Sequence, residues 1–159
     1  MPGLDPTNTS PAYLLGRLFA VLEATQRAAY PGDNLPNTTF FDRYFAGAIA
    51  NPRVAFVQGS QMWPAWLKKI RTSADREARK ADRDRRLAAA FALKNRISEL
   101  TEQLAVQPLP ALTTSAHQSL FIIGYHHQRA HDLARARAGK APEITLEQPQ
   151  PDDTAEPAA

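Results

Sequence analysis

The chain has 159 residues, of which 43% are hydrophobic, 22% charged and 8% aromatic, enough apolar material for one modest core and too much for whole-chain disorder. Cysteine is absent and the net charge is +3, which excludes disulfide frameworks, thiol nucleophiles and cysteine–zinc sites and fits a reducing, cytoplasmic setting. No apolar run approaches ~20 residues, and Met1-Pro2-Gly3-Leu4-Asp5 has no basic region before an apolar stretch, so neither a spanning helix nor a signal peptide is expected.

Residues 1–10 read as a lead. Ser10 then stands where an N-cap belongs, with Pro11 at the first helical position, where a missing N–H costs nothing. Leu14, Leu15, Leu18, Phe19 and Leu22 follow at helical spacing, which predicts a helix over about 11–30 with one apolar face. Pro31-Gly32 stops it. Thr39 with Asp42 three residues on is an acidic variant of the capping box. It opens a helix to about Ala50 with Phe41, Phe45 and Ile49 spaced by four.

Asn51-Pro52 repeats the cap-then-proline start. Trp63, Trp66, Leu67 and Ile70 mark a third helix, with a kink or break expected near Gly59 and Pro64 and a boundary near Thr72-Ser73. A long helical stretch follows, densely charged over 75–86 and then amphipathic through Leu93, Ile97, Leu100 and Leu104. Pro108 and Pro110 mark a loop. Ser115 with Gln118 gives a second capping-box pattern, and the last helix runs to about Ala138 before Gly139. Residues 140–159 hold four prolines and five acids and read as a disordered tail. The fold class is therefore all-α: a single bundle of about five helices over 11–139.

Charge is unevenly placed. Residues 68–96 carry 11 basic and 4 acidic side chains, residues 140–159 carry 1 and 5, and the rest of the chain is balanced. Such localisation points to a polyanion. If 75–86 is one helix, Arg76, Arg79, Lys80 and Arg83 fall within an arc of roughly 100° between acidic borders. That stripe can track a phosphate backbone without reading bases. The alternative is a solvated helix held by pairs such as Asp75–Arg79 and Asp82–Arg86.

Other patterns carry less. His127 and His131 have metal-ligand spacing, but Gln128 stands where a zincin helix needs its general base and no third ligand is near. Hydrogen-bonded histidines at a core edge are the bland reading. Trp63 and Trp66 can stack on bases, although their spacing beside Leu67 and Ile70 suits a core. Arg17 and Arg43 each interrupt an apolar helix, as surface or ion-paired residues or as fixed phosphate contacts. Arg129 is expected to be exposed. There is no phosphate-binding glycine loop and no nucleophile elbow.

Three segments carry a family likeness. Ala12-Tyr13-Leu14-Leu15-Gly16-Arg17-Leu18-Phe19-Ala20-Val21-Leu22-Glu23 resembles the opening of the C-terminal helical region of the type I-C CRISPR Cascade large subunit. Asp42-Arg43-Tyr44-Phe45 followed by Asn51-Pro52 resembles its next segment, and Phe121-Ile122-Ile123-Gly124-Tyr125-His126-His127-Gln128-Arg129 resembles its last helix. Residues 68–96 match only in helical character and length. In such systems this region is also made as a separate small subunit.

The resemblance implies a non-enzymatic protein without cofactor. Its partners would be the Cascade backbone and large subunits, another copy of itself, the guide RNA–target DNA hybrid and the displaced DNA strand, with no membrane. The expected nucleic-acid contacts are Arg76, Arg79, Lys80, Arg83 and Arg86, then Lys68, Lys69 and Arg71. Arg17, Arg43 and Arg129 are carried over from the matched motifs. A purely structural packing subunit is the competing expectation, and a metal enzyme built on His127 and His131 a third.

Overall fold

A computed structural model describes residues 4–106 and 111–139. Within them lie five α-helices: α1 Pro11–Ala29, α2 Phe40–Ala50, α3 Pro52–Asp75, α4 Lys80–Ala105 and α5 Ser115–Ala138, with a short 3-10 turn at Gly32–Asn34. The expected all-α bundle is borne out. The acidic proline-rich tail expected over 140–159 lies outside the described residues.

α1 is the axis of the bundle. It touches each of the other four helices, whereas α5 meets only α1 and α2 among the described residues. The sequence reading gave α1 one apolar face; instead every residue from Ala12 to Glu23 is buried. A helix that is apolar nearly all round belongs in the centre. Phe19 is its hub, with ring centroids 4.8 Å from Phe40, 5.5 Å from Phe45 and 6.0 Å from Phe121. Aromatic pairs at such spacings add to the burial of their area.

Helix directions follow from specific contacts. Tyr13 bonds His127 and Arg17 bonds Gln128, while Ala24 and Arg27 share a surface groove with Asp132 and Leu133, so α1 and α5 run parallel. Leu22 faces Gly59 and Tyr30 faces Lys69, so α3 is parallel to α1 as well. α2 and α4 run the other way. The C-terminal ends of α1, α3 and α5 therefore share one end of the bundle with the start of α4.

Two glycines let α1 and α5 touch. A Cβ on Gly16 would sit 1.9 Å from the Phe121 carbonyl oxygen, and one on Gly124 would sit 2.2 Å from that of Tyr13. No side chain fits at that crossing.

Helix ends follow the sequence in part. The Thr39–Asp42 box forms: Asp42 N–H donates to Thr39 Oγ1 at 3.1 Å, and Thr39 N–H donates to Asp42 Oδ2 at 3.0 Å. The Thr39 hydroxyl, which donates to Asp42 Oδ2 at 2.7 Å, and after it the Thr39 N–H hold the Asp42 carboxyl below the usual carboxylate range. Asn51 caps α3 through Arg53 N–H. Ser10 is the α1 N-cap by position but makes no side-chain cap bond. The Ser115–Gln118 box is replaced. Thr114 is the cap, accepting from His117 N–H at 3.2 Å, and the Gln118 amide donates to the Leu112 carbonyl. Gln26, buried on α1, caps α2 by accepting the Phe40 N–H at 2.8 Å.

α3 continues through Gly59, Pro64 and Thr72-Ser73 as a single helix to Asp75, so neither expected interruption ends it. The break falls further on. Arg76 is the C-cap of α3 and Arg79, with φ −93° and ψ 123°, is the N-cap of α4. No proline or glycine lies between them. Burial makes the turn: Ile70 and Ala74 on α3, and Ala90, Ile97, Leu100 and Leu104 on α4, are all buried. A straight helix through 75–86 would carry one of those stripes into water, so packing overrides local helix propensity.

Candidate nucleic-acid interface

The turn between α3 and α4 carries the charge-dense stretch. Because the helix breaks at 76–79, Arg76, Arg79, Lys80 and Arg83 do not form a stripe along one helix, which corrects the sequence-derived geometry. They surround a hairpin tip instead. Lys69 is level with Tyr30 at the end of α1. At about 1.5 Å per residue, the seven residues from Ile70 to Arg76 carry the tip roughly 10 Å past it.

Salt bridges divide the cations of this tip into two sets. Arg86 donates to Glu77 at 2.8 Å and Arg85 to Asp82 at 3.3 Å, and Arg83 lies 4.0 Å from Asp84. The Arg86–Glu77 bridge spans the break and clasps the turn. The break separates Asp75 from Arg79, and the expected Asp82–Arg86 pair gives way to Arg86–Glu77 and Arg85–Asp82. By contrast, Lys68, Lys69, Arg71, Arg76, Arg79 and Lys80 are exposed. None has a carboxylate within 4.0 Å among the described residues.

Three of these cations gather along the end of α3 and its C-cap. Lys68, Lys69 and Arg76 line a shallow groove with Ala65, Thr72 and Ser73. The Lys69 ammonium lies 3.8 Å from the Tyr30 ring centroid, a cation–π contact that holds it at the end of α1. The groove offers three cations and two hydroxyls and no acid. That chemistry suits phosphate oxygens.

The arginines drawn from the family motifs separate. Arg43 is exposed on α2. Arg129 is exposed as expected, but its guanidinium donates to the Tyr125 hydroxyl at 3.0 Å. Arg17 is only 6% exposed, which corrects its placement as a surface contact. Its Nε donates to Gln128 Oε1 at 3.1 Å, and burial pushes its guanidinium below the ordinary arginine value. A central helix has no outer face on which to present it.

Sequence reasoning missed two cations. Arg135 and Arg137 are exposed in the last turn of α5, at the same end of the bundle as the α3–α4 tip. Their place depends on α5 running parallel to α1, which spacing within α5 does not reveal.

The remaining candidates resolve into packing. His127 Nδ1 lies 3.1 Å from the Tyr13 hydroxyl, and His131 Nδ1 lies 3.3 Å from Asp132 Oδ1. Among the described residues no three His, Asp or Glu side chains are grouped to hold a metal. Trp66 is 5% exposed and belongs to the core. Trp63 lines an apolar cavity of about 260 Å³ between α1, α3 and α4, with no charged side chain in its wall. No described helix is long and apolar enough to cross a membrane.

A family model described as CRISPR-associated protein (Cas_Csd1) matches residues 2–132. The chain belongs to this family. It is thus a CRISPR-associated protein and a subunit of a Cascade complex. No curated protein matches it. Within the Cas_Csd1 match, the three segments that carry the likeness build α1, α2 and α5 and their shared aromatic core. The cationic tip also lies inside the match, and the acidic residues 140–159 lie beyond it.

Proposed function

We propose that this chain is a non-catalytic small subunit of a type I-C CRISPR surveillance complex, binding DNA through its sugar–phosphate backbone to stabilise the R-loop and the displaced strand. The observation that carries this reading is the hairpin tip. Six exposed cations there, Lys68 to Lys80, have no carboxylate partner among the described residues. Solvated charge faces are usually laced with internal pairs, and the neighbouring Arg85 and Arg86 follow that pattern.

The energetics suit such a role. Exchanging a DNA duplex for a hybrid plus a displaced strand is nearly balanced, so a few backbone contacts tip it. A rigid bundle supplies them without base readout. The partners in this reading are the backbone and large subunits, a second copy of the chain, the guide RNA–target DNA hybrid and the displaced strand, in the cytoplasm.

A second reading is a packing subunit that bridges other Cascade subunits without touching nucleic acid. It is favoured by apolar side chains left in water: Phe91 is 63% exposed on α4, and Val54 is 60% exposed on α3. Photo-crosslinking from the tip within a DNA-loaded complex separates the two. Adducts to DNA from positions 72 and 78 support the first reading. Adducts confined to protein support the second.

A further inference from the structure

The end of α1, the start of α2 and the middle of α3 enclose a groove of about 190 Å³, with Gln26, Tyr30, Thr38, Arg43, Tyr44 and Trp66 in its lining. Gln26 is 4% exposed, and its Oε1 accepts the Phe40 N–H. A backbone N–H only donates, so this bond fixes the orientation of the amide and leaves Nε2 as a donor. That Nε2 has no acceptor among the described residues. No sealed side-chain nitrogen or oxygen there lacks a partner, so Nε2 opens on the groove that Gln26 lines. The indole N–H of the equally buried Trp66 is likewise without an acceptor among the described residues. Buried donors are ordinarily paired. Arg43 is exposed at the rim, has no carboxylate within 4.0 Å among the described residues, and no acid lines the groove.

We propose that this groove holds one unstacked pyrimidine nucleotide of a single DNA strand, its base carbonyls accepting from Gln26 Nε2 and the Trp66 N–H and its phosphate resting on Arg43. Donors without acceptors select a ligand rich in acceptors. Thymine presents the carbonyl oxygens O2 and O4, whereas the edge of adenine also carries an amino donor. A single ring suits so small a volume. Trp66 has no face free for stacking, but Tyr44, partly buried with its ring centroid 5.0 Å from that of Phe40, adds π surface to the wall. The groove also adjoins the cationic groove of α3. Lys69 lines that one, Tyr30 lines this one, and the two side chains touch. A strand neutralised by Lys68 and Lys69 has this groove beside it, which favours a nucleotide over an acidic peptide. The inference rests on the single-strand reading of the tip and adds to it a base contact outside the tip.

Trp63 and Trp66 are the only tryptophans, so the full chain carrying Trp63→Phe reports on the groove through Trp66 fluorescence. Oligothymidylate should give a saturable change in that emission. An abasic strand of equal length should give none, and should bind about fivefold or more weakly by anisotropy. Gln26→Glu keeps an acceptor for the Phe40 N–H and removes the Nε2 donor, so the emission response should be lost. Arg43→Gln, at an exposed position, should weaken oligothymidylate binding and reduce its salt slope by about 0.7. Oligothymidylate bound with a silent Trp66, or an equal response to the abasic strand, overturns the groove and leaves the backbone role of the tip standing. An undiminished response in both variants overturns it too, as does silence towards every probe. A response to thymidine monophosphate when neither strand binds retains the groove and removes the strand-binding role. A response to oligoglutamate and to no nucleotide overturns the proposal and assigns the groove to an acidic protein segment.

Discussion

Tyr125 on α5 donates a 2.5 Å hydrogen bond to Glu23 on α1, tying the last helix to the first at the centre of the bundle. Glu23 also accepts from Arg27 Nε at 2.9 Å and Nη2 at 2.7 Å, and Arg129 donates to the Tyr125 hydroxyl. Glu23 is 3% exposed and Tyr125 is 1% exposed. A charged group so placed is tolerated only because its oxygens are satisfied. Arg129, expected from its motif to contact nucleic acid, belongs to this network.

Tyr125→Phe should lower stability by about 1–3 kcal/mol, because it removes a donor from a buried carboxylate and an acceptor from Arg129. Denaturant unfolding checks this. The hydroxyl also sets an alkaline limit. Burial first, and the Glu23 hydrogen bond second, push the Tyr125 pKa from 10.0 to about 12. A raised folded-state pKa favours the neutral phenol, so its stabilising contribution is intact below pH 10 and is lost as pH rises towards 12. Tyr125→Phe should therefore lose less stability than the parent over that window.

The α1–α5 crossing separates glycines that must be glycine from one that need not be. Gly16→Ala or Gly124→Ala puts a methyl into backbone of the facing helix and should cost about 3 kcal/mol or more. Gly47 lies within α2 with nothing within 4 Å of its added Cβ. Gly47→Ala should raise stability by about 0.5–1 kcal/mol. Thermal melts of the three variants test the contrast in sign.

Arg17→Met should destabilise by about 1–2 kcal/mol, because the Gln128 oxygen loses its donor. DNA affinity of the folded variant and its salt dependence should stay unchanged. A reduced salt slope would return Arg17 to the interface.

The clasp across the helix break makes a different prediction. Arg86 and Glu77 are partly exposed, so Glu77→Gln should change stability by less than about 1 kcal/mol. It also frees Arg86 and removes an acid from the tip. Single-stranded DNA binding should strengthen slightly at low salt, as read by fluorescence anisotropy.

Much of this architecture is written in local residue patterns. Thr39 and Asp42 place the start of α2, Asn51-Pro52 places the start of α3, and the apolar spacing of α1 and α5 gives both helices their extent. Long-range burial sets what the patterns miss. Nothing in Asp75-Arg76-Glu77-Ala78-Arg79 announces a helix break, because the turn is made by Ile70 and Ala74 meeting α4. Arg17 looks like a surface arginine until α1 proves to be enclosed by four neighbours. The candidate interface was legible as charge density but not as shape. Arg135 and Arg137 join it only through the parallel course of α5.

The central claim is that the α3–α4 tip neutralises backbone phosphates. The direct measurement is the salt dependence of DNA binding by a Cascade complex assembled with this chain. Each phosphate contact on single-stranded DNA contributes a slope of about −0.7 in log affinity against log salt. Replacing Lys68, Lys69, Arg71, Arg76, Arg79 and Lys80 together with glutamine should lower the magnitude of that slope by up to about 4 and weaken binding across all sequences alike. An unaltered slope with an intact complex contradicts the account.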